Sequence, residues 1–263
     1  MNCPNFKGRF RNGIEEYYME PKVFFDFDGV LFDSAKEALA ITKQLIFNEE
    51  PIQQTIQKVE YDNKFLELRY LVGPAWNYYY VDLMIQKGYD CSWYKKTISL
   101  PPEKNARRFE ENFFQARTKT KKQAYNHWLS LQSPYPFALQ VFDLGYGTDI
   151  KLVIVSTKDS ETVEVLLNHH FPSLSNYAIF GREHYEKIGN KAVITEQLIV
   201  KYNLESIWFL DDNIQHLELF ENTPNVATLL ADWGYNAPNV TGVSSSEVLN
   251  MISHSPQLLQ MEA

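Results

Sequence analysis

The sequence predicts an α/β protein built on a parallel β-sheet, with a helical segment inserted after the first strand. Short apolar runs recur at positions 23–25, 152–155, 177–180, 207–210 and 227–230. Such runs are typical of strands buried on both faces of a parallel sheet, and the later ones alternate with stretches of helical periodicity. Between about residues 50 and 136, helical periodicity and clustered aromatic residues replace the strand pattern. That change of pattern predicts the insertion.

Two carboxylates follow the first apolar run. Asp26 and Asp28 come directly after it, and Gly29 then allows the backbone to turn. Carboxylates this close repel each other unless a positive group lies beside them, and a hard divalent cation is the simplest such group. Ser34 and Glu37 have the spacing of a helix capping box, so the acids are predicted to lie between a strand end and a helix start. Open α/β sheets bind their ligands at that edge.

Small polar or acidic residues also end two later apolar runs. Ser156 follows the apolar run 152–155, and Asp211 and Asp212 follow the apolar run 207–210. Because parallel strands have their carboxyl ends at one edge, these groups are predicted to form one site with Asp26 and Asp28. Each ending alone can also be a helix cap, since Ser and Asp are favoured there. Together with a lysine before the intervening helix, they fit phosphoryl transfer with Mg²⁺.

The segment 26–34, Asp-Phe-Asp-Gly-Val-Leu-Phe-Asp-Ser, resembles the first motif of the haloacid dehalogenase superfamily. The order of the later elements also matches that family, and the resemblance covers about residues 22–34 and 150–236. It implies a Rossmann-like core with an inserted helical cap of the C1 type, as in phosphoglycolate phosphatases and beta-phosphoglucomutases. Trp233-Gly234-Tyr235 resembles a tripeptide often found in phosphoglycolate-phosphatase-like members. The implied activity is Mg²⁺-dependent hydrolysis of a phosphate monoester.

The resemblance also implies a role for each matching residue. Asp26 is expected to be the nucleophile, and Asp28 the general acid and base. Asp212 is expected to be the main metal ligand, with support from Asp211. Asp26 and the main-chain carbonyl of Asp28 would also bind the metal. Ser156, with Thr157 beside it, is expected to bind phosphate.

The phosphate-binding lysine has two candidates, Lys191 and Lys187. Lys191 lies at the predicted start of a helix, as in phosphoserine-phosphatase-like members, and is preferred. Lys187 lies at a distance from Asp212 that is more like that of the beta-phosphoglucomutase group, but it lacks the proline that follows the lysine there.

The predicted division of the chain has three parts: an N-terminal extension over 1–20, an α/β core over 21–34 and 137–263, and a helical cap over 35–136. Periodicity alone leaves open that the inserted helices belong to the same layer as the other helices. The superfamily is expected to set substrate specificity through the cap.

Three residues of the predicted cap are candidates for substrate contact. Arg69, Tyr70 and Trp76 can stack on or hydrogen-bond a substrate, or they can pack in the interior of the cap. The basic residues Arg117, Lys119, Lys121 and Lys122 are interpreted as a solvated helix face, with an anionic partner as the alternative.

Composition excludes several functional classes. A net charge of −8 argues against a general nucleic-acid binder. Two cysteines, Cys3 and Cys91, fit a reducing, cytoplasmic setting. The N-terminus has no apolar core of a signal peptide, and no run approaches the roughly 18 apolar residues of a membrane span.

A phosphorylated small molecule is the expected substrate. A phosphoprotein bearing phosphotyrosine, handled by a phosphatase of the same superfamily, is the alternative within that activity. A catalytically silent binding protein on the same fold is the alternative of a different class. Intact acids at every motif weigh against the silent fold.

Overall fold

The computed structural model describes residues 23–47, 59–145 and 152–253. Its strands are β1 (Val23–Phe25), β2 (Phe32–Asp33), β3 (Ser133–Pro134), β4 (Leu152–Val155), β5 (Tyr177–Phe180), β6 (Ile207–Asp211) and β7 (Val226–Leu230). Five of them form one parallel sheet in the order β5-β4-β1-β6-β7. The predicted parallel sheet is therefore confirmed. The predicted extension over 1–20 lies outside the described residues.

Helices cover both faces of the sheet and fill the insertion. They are α1 (Ala35–Phe47), α2 (Val59–Glu67), α3 (Asn77–Lys87), α4 (Cys91–Ile98), α5 (Lys104–Gln123), α6 (Tyr125–Ser130), α7 (Pro136–Gly145), α8 (Ser160–His170), α9 (Arg182–Ile188), α10 (Lys191–Tyr202), α11 (Ile214–Glu218) and α12 (Ser245–Ser253). A single 3₁₀ turn, Arg69–Leu71, lies between α2 and α3. Among all the residues that the structure describes, no helix has the length and apolar character needed to cross a membrane.

Alternate side chains of the strands pack into two separate apolar clusters, one on each face of the sheet. Phe25 and Ile154 pack with α7 and α8 on one face, whereas Phe24, Val153 and Phe209 pack with α10 and α11 on the other. This burial on both faces explains why the strands appear in the sequence as continuous apolar runs.

The helices between β2 and β3 have an apolar cluster of their own, which includes Phe65, Tyr78 and Phe113. The chain enters and leaves this segment through β2 and β3, which pair antiparallel as a short ribbon. Neither the ribbon nor α4 is predicted by the sequence pattern. Trp128 of α6 packs instead with the cluster on the sheet, so the boundaries of the cap stay a prediction.

The strand order places the predicted site. β1 lies at the centre, with Phe24 opposite Val153 of β4 and Phe209 of β6. The residues that follow these three strands therefore meet at one edge of the sheet.

Candidate active site

The turn after β1 brings the first motif against the end of β6. The Asp26 amide donates to the Leu210 carbonyl at 2.8 Å, which extends the strand pairing by one residue. Gly29 then adopts φ +87°, a conformation that side chains of L-residues rarely take. A Cβ atom on Gly29 would lie 2.0 Å from Asp212 Oδ2. Only glycine therefore allows the two motifs to approach this closely.

Lys191 lies between two of the carboxylates. It is the first residue of α10, whose start is capped by the Asn190 side chain, and it is fully buried. Its Nζ is 2.5 Å from Asp211 Oδ2 and 3.0 Å from Asp26 Oδ1, although the Asp26 contact is not aligned as a hydrogen bond. Burial lowers the pKa of Lys191, but Asp211 and Asp26 outweigh it and raise this pKa, so the lysine stays charged.

Asp211 binds Lys191, a contact that its predicted role as a supporting metal ligand does not include. Its Oδ1 accepts from the Asn213 amide at 2.9 Å, and His216 Nδ1 lies 3.2 Å from Oδ2. Burial raises the pKa of Asp211, but Lys191 and His216 lower it well below its usual value. Asp26, Asp211 and His216 are close enough to hold a metal, but the Lys191 ammonium already lies among them.

Within the described residues, Asp212 forms no ion pair with a lysine, an arginine or a histidine. It is buried, and its Oδ2 accepts from the Tyr235 amide at 2.6 Å. Burial, with the nearby charges of Asp211 and Asp26, raises the pKa of Asp212 well above its ordinary value. A cation at this position would relieve that repulsion.

The donor atoms around Asp212 fit a hard divalent cation. Asp26, Asp28 and Asp212 line one small cavity at the strand ends. Asp26 Oδ1 is buried without an aligned hydrogen-bond donor among the described residues. Mg²⁺ takes oxygen ligands and commonly uses one or two carboxylates. The residues present are therefore those that such an ion prefers.

Asp28 is held by two groups that the sequence reasoning did not assign. Lys158 Nζ lies 2.9 and 3.1 Å from its two carboxylate oxygens, and Ser34 Oγ donates to Oδ1 at 2.6 Å. Burial raises the pKa of Asp28, but Lys158 and Ser34 outweigh it and lower this pKa. The predicted capping box is therefore wrong: Ser34 binds Asp28, whereas Glu37 pairs with Arg117.

Of the remaining predicted phosphate-binding residues, Ser156 and Thr157 directly follow β4, whereas Lys187 lies on α9. Ser156 is fully buried, and its hydroxyl accepts from the Lys158 amide at 3.2 Å, while Thr157 lines the cavity. Lys187 is exposed in the last turn of α9 and lines neither cavity at the strand ends. Of the two candidate lysines, the fold brings Lys191 to the carboxylates, because α10 begins at that residue.

Two of the three candidate residues of the cap lie at the cavity, and the third does not line it. Arg69 and Tyr70 line the cavity with Asp26 and Asp212. Trp76 caps the start of α3, is partly buried, and packs edge-on against Tyr80, with ring centres 5.8 Å apart, so it lies against the apolar cluster of the inserted helices.

Tyr235 connects parts of the site that are distant in sequence. Its hydroxyl donates to Asp33 Oδ1 at 2.9 Å and accepts from the Ser34 amide at 2.7 Å. The Arg69 guanidinium lies over its ring, 4.4 Å from the centre. The sequence contained a signal for Tyr235 in the Trp-Gly-Tyr tripeptide, but not for these contacts.

Comparisons with known proteins found solved structures of similar architecture. No family model matches the sequence, and no curated protein matches it. Among solved structures, a predicted phosphoglycolate phosphatase from Haemophilus somnus is 17% identical with a TM-score of 0.55, and covers 88% of this chain and 97% of its own. A haloacid dehalogenase-like family hydrolase from Streptococcus pneumoniae is 16% identical with a TM-score of 0.56, covering 88% and 98%. A predicted phosphatase from Clostridium acetobutylicum is 15% identical with a TM-score of 0.56, covering 89% and 99%.

Identities this low establish shared architecture and leave the chemistry to be argued from the site. The similarity covers 88–89% of this chain and 97–99% of each of these structures. The chain therefore has the haloacid dehalogenase-like fold.

Proposed function

We propose that this chain is a Mg²⁺-dependent phosphatase of the haloacid dehalogenase superfamily, which hydrolyses a phosphate monoester through an aspartyl-phosphate on Asp26. The observation that carries the proposal is the convergence of Asp26, Asp28, Asp212 and Lys191 at the carboxyl edge of the sheet. Carboxylates at a hard-cation site, with buried cations beside them, supply what phosphoryl transfer requires.

Each side chain has a defined part in the proposed reaction. A carboxylate oxygen of Asp26 attacks phosphorus, and the ester P–O bond breaks as the leaving oxygen takes a proton from Asp28. Asp28 then takes a proton from a water molecule, which attacks the phosphorus and releases phosphate and free Asp26. Lys158 must leave Asp28 before that carboxyl carries a proton, and a phosphoryl oxygen is a suitable new partner for it.

Lys191 and Ser156 would bind the phosphoryl oxygens. The carboxylates of Asp26 and Asp212, with the main-chain carbonyl of Asp28, would hold Mg²⁺. When bound, the ion would neutralise negative charge on the transferring group.

A small phosphometabolite is the proposed substrate, because the half-open cavity next to Asp28, between the cap helices and the strand ends, has a volume of about 270 Å³, which suits a small ligand. The cytoplasmic setting remains part of the proposal and is supported by the low cysteine content. Assays on phosphotyrosyl peptides beside a panel of metabolites would distinguish the protein-phosphatase alternative.

The test is hydrolysis of an aryl phosphate by the purified full chain with Mg²⁺. Asp26→Asn is expected to abolish turnover, whereas Asp143→Asn, at an exposed position on α7, is expected to leave it unchanged. Chelation of the metal is expected to stop the reaction, and added Mg²⁺ to restore it. Unchanged hydrolysis by Asp26→Asn contradicts the proposal, and the lack of both turnover and Mg²⁺ binding favours a silent fold.

A further inference from the structure

The general acid of the proposed reaction is held by a hydrogen bond from Ser34. The Ser34 Oγ donates to Asp28 Oδ1 at 2.6 Å, and the serine is buried. Lys158, which also binds Asp28, is expected to move to a phosphoryl oxygen during the reaction. Of the hydrogen bonds that the described residues make to this carboxyl, the one from Ser34 then remains.

The Ser34 hydroxyl also makes the two oxygens of Asp28 different. A protonated carboxyl has one O–H group and one carbonyl oxygen, and the carbonyl oxygen is the better acceptor. Because the bond from Ser34 reaches Oδ1, we expect the proton of Asp28 on Oδ2. Ser34 therefore orients the carboxyl and leaves Oδ2 to carry the proton that the leaving oxygen takes.

Tyr235 fixes the main chain of Ser34. The Ser34 amide donates to the Tyr235 hydroxyl at 2.7 Å, and this hydroxyl donates to Asp33 Oδ1 at 2.9 Å. The same Asp33 oxygen accepts from the Ala35 amide at 3.1 Å, at the start of α1. Burial raises the pKa of Tyr235 well above its ordinary value, so the hydroxyl keeps its proton and can make both bonds. Tyr235 thus holds the junction between β2 and α1, and with it the side chain of Ser34.

The contact of Tyr235 with the metal side of the site is made by a different group. Its main-chain amide, and not its hydroxyl, donates to Asp212 Oδ2 at 2.6 Å. The ring packs under the Arg69 guanidinium, whose central carbon is 4.4 Å from the ring centre. Removal of the hydroxyl alone keeps both the amide and the ring. The effect of the hydroxyl on Ser34 can therefore be measured separately from the position of Asp212.

We propose that Tyr235 is a positioning residue for proton transfer to the leaving group: its hydroxyl holds Ser34, and Ser34 holds the Asp28 carboxyl in the orientation that protonates the leaving oxygen. This inference rests on the proposed function. As the ester P–O bond breaks, the proton on Asp28 Oδ2 passes to the leaving oxygen, and Asp28 returns to the carboxylate. Tyr235 gives up no proton and acts through Ser34.

Two aryl phosphates of similar size test the proposal with the full chain and Mg²⁺. The para-nitrophenolate ion leaves without a proton, whereas the more basic phenolate ion gains more from one. The ratio kcat/KM covers the steps up to release of the phenol, so the later hydrolysis of the aspartyl-phosphate does not affect it. We expect Tyr235→Phe and Ser34→Ala each to lower kcat/KM for phenyl phosphate by about 10- to 100-fold. The loss for para-nitrophenyl phosphate is expected to be clearly smaller.

Tyr61→Phe is the matched control. The Tyr61 hydroxyl donates to Asp82 Oδ1 at 3.0 Å among the inserted helices and lines neither cavity at the strand ends. Its loss removes a hydrogen bond of the same kind, but is expected to leave the ratio of the two kcat/KM values unchanged. The double variant Ser34→Ala/Tyr235→Phe is expected to match Ser34→Ala alone on phenyl phosphate, because the two residues act in series. Calorimetry is expected to show wild-type Mg²⁺ affinity for Tyr235→Phe, which keeps the amide that binds Asp212.

An equal loss of kcat/KM for both esters in Tyr235→Phe or in Ser34→Ala overturns the proposal, as do multiplying losses in the double variant. Weaker Mg²⁺ binding by Tyr235→Phe also overturns it, because the hydroxyl would then act on the metal side. If the wild-type chain hydrolyses these esters and Asp26→Asn does not, but neither variant changes the ratio, only the role of Tyr235 is wrong. If the wild-type chain hydrolyses neither ester, the proposed function fails and this inference fails with it.

Discussion

Substitution of Gly29 by alanine tests how closely the first motif must approach Asp212. Gly29 has φ +87°, and an added Cβ would lie 2.0 Å from Asp212 Oδ2, whereas ordinary contacts of this kind begin near 3.4 Å. The Asp212 carboxylate would have to move by more than about 1 Å. A misplacement of that size in an active site costs about 100-fold in rate. We therefore expect Gly29→Ala to lower kcat/KM by at least this factor and to weaken Mg²⁺ binding.

Gly88 provides the matched control. It also has a positive φ, +70°, at the end of α3, but a Cβ there would meet nothing within 4 Å. An alanine in this backbone region costs about 1–2 kcal/mol at either position. Gly88→Ala is therefore expected to lower the unfolding midpoint by about 2–8 °C and to retain full activity.

Phosphatase kinetics, calorimetry with Mg²⁺ and thermal unfolding on the three proteins separate the two effects. The loss of stability caused by alanine at a positive φ is expected in both variants. The loss of activity and of Mg²⁺ binding is expected in Gly29→Ala alone. Wild-type activity and Mg²⁺ affinity in Gly29→Ala would refute the reasoning, because the Asp212 carboxylate would then not need its present position.

Three further predictions follow from other contacts. Glu37→Ala leaves the buried Arg117 without its carboxylate and is expected to destabilise the chain by about 3–5 kcal/mol in chemical denaturation, with Glu111→Ala on the exposed side of α5 as the neutral control. Tyr235→Phe removes the acceptor of the Ser34 amide and is expected to cost about 1–3 kcal/mol of stability; an unchanged unfolding curve would contradict that contact. Asp212→Asn is expected to weaken Mg²⁺ binding in calorimetry more than Asp211→Asn does, since Asp211 is bound to Lys191; the reverse order would show that Asp211 is the ligand.

The sheet could be predicted from the sequence because the pattern that identifies each strand lies within a few consecutive residues. Each strand is an uninterrupted apolar run, and that pattern arises from burial on both faces. The convergence of Asp26, Ser156 and Asp212 followed from the rule that parallel strands end at a common edge. The position of Asp26 and Asp212 on one cavity could therefore be predicted from the sequence.

The contacts that the sequence did not predict join residues far apart in the chain. Ser34 and Glu37 matched a local capping pattern, but Ser34 donates to Asp28 on the other side of the turn, and Glu37 binds Arg117, a residue distant in the sequence. Arg117 is 80 positions from Glu37 and belongs to a basic cluster that was interpreted as a solvated face. Lys158 lies 130 positions from Asp28, so only the fold brings the two together.

The predicted role of Asp211 as a supporting metal ligand stays a prediction, and no local pattern in the sequence indicated that Lys191 would bind this carboxylate. Asp211 and Asp212 are the same residue type at the end of one strand, but successive side chains there point in different directions. The Asp211 carboxylate binds Lys191, and the Asp212 carboxylate lines the cavity.

A crystal structure with Mg²⁺ and beryllium fluoride, a mimic of a phosphoryl group on a carboxylate, tests the central claim most directly. We predict beryllium bonded to an oxygen of Asp26, Mg²⁺ in contact with Asp26, Asp212 and the Asp28 carbonyl, and Lys191 beside the fluoride ligands. Beryllium fluoride on a different side chain, or Mg²⁺ bound away from Asp212, would contradict the account.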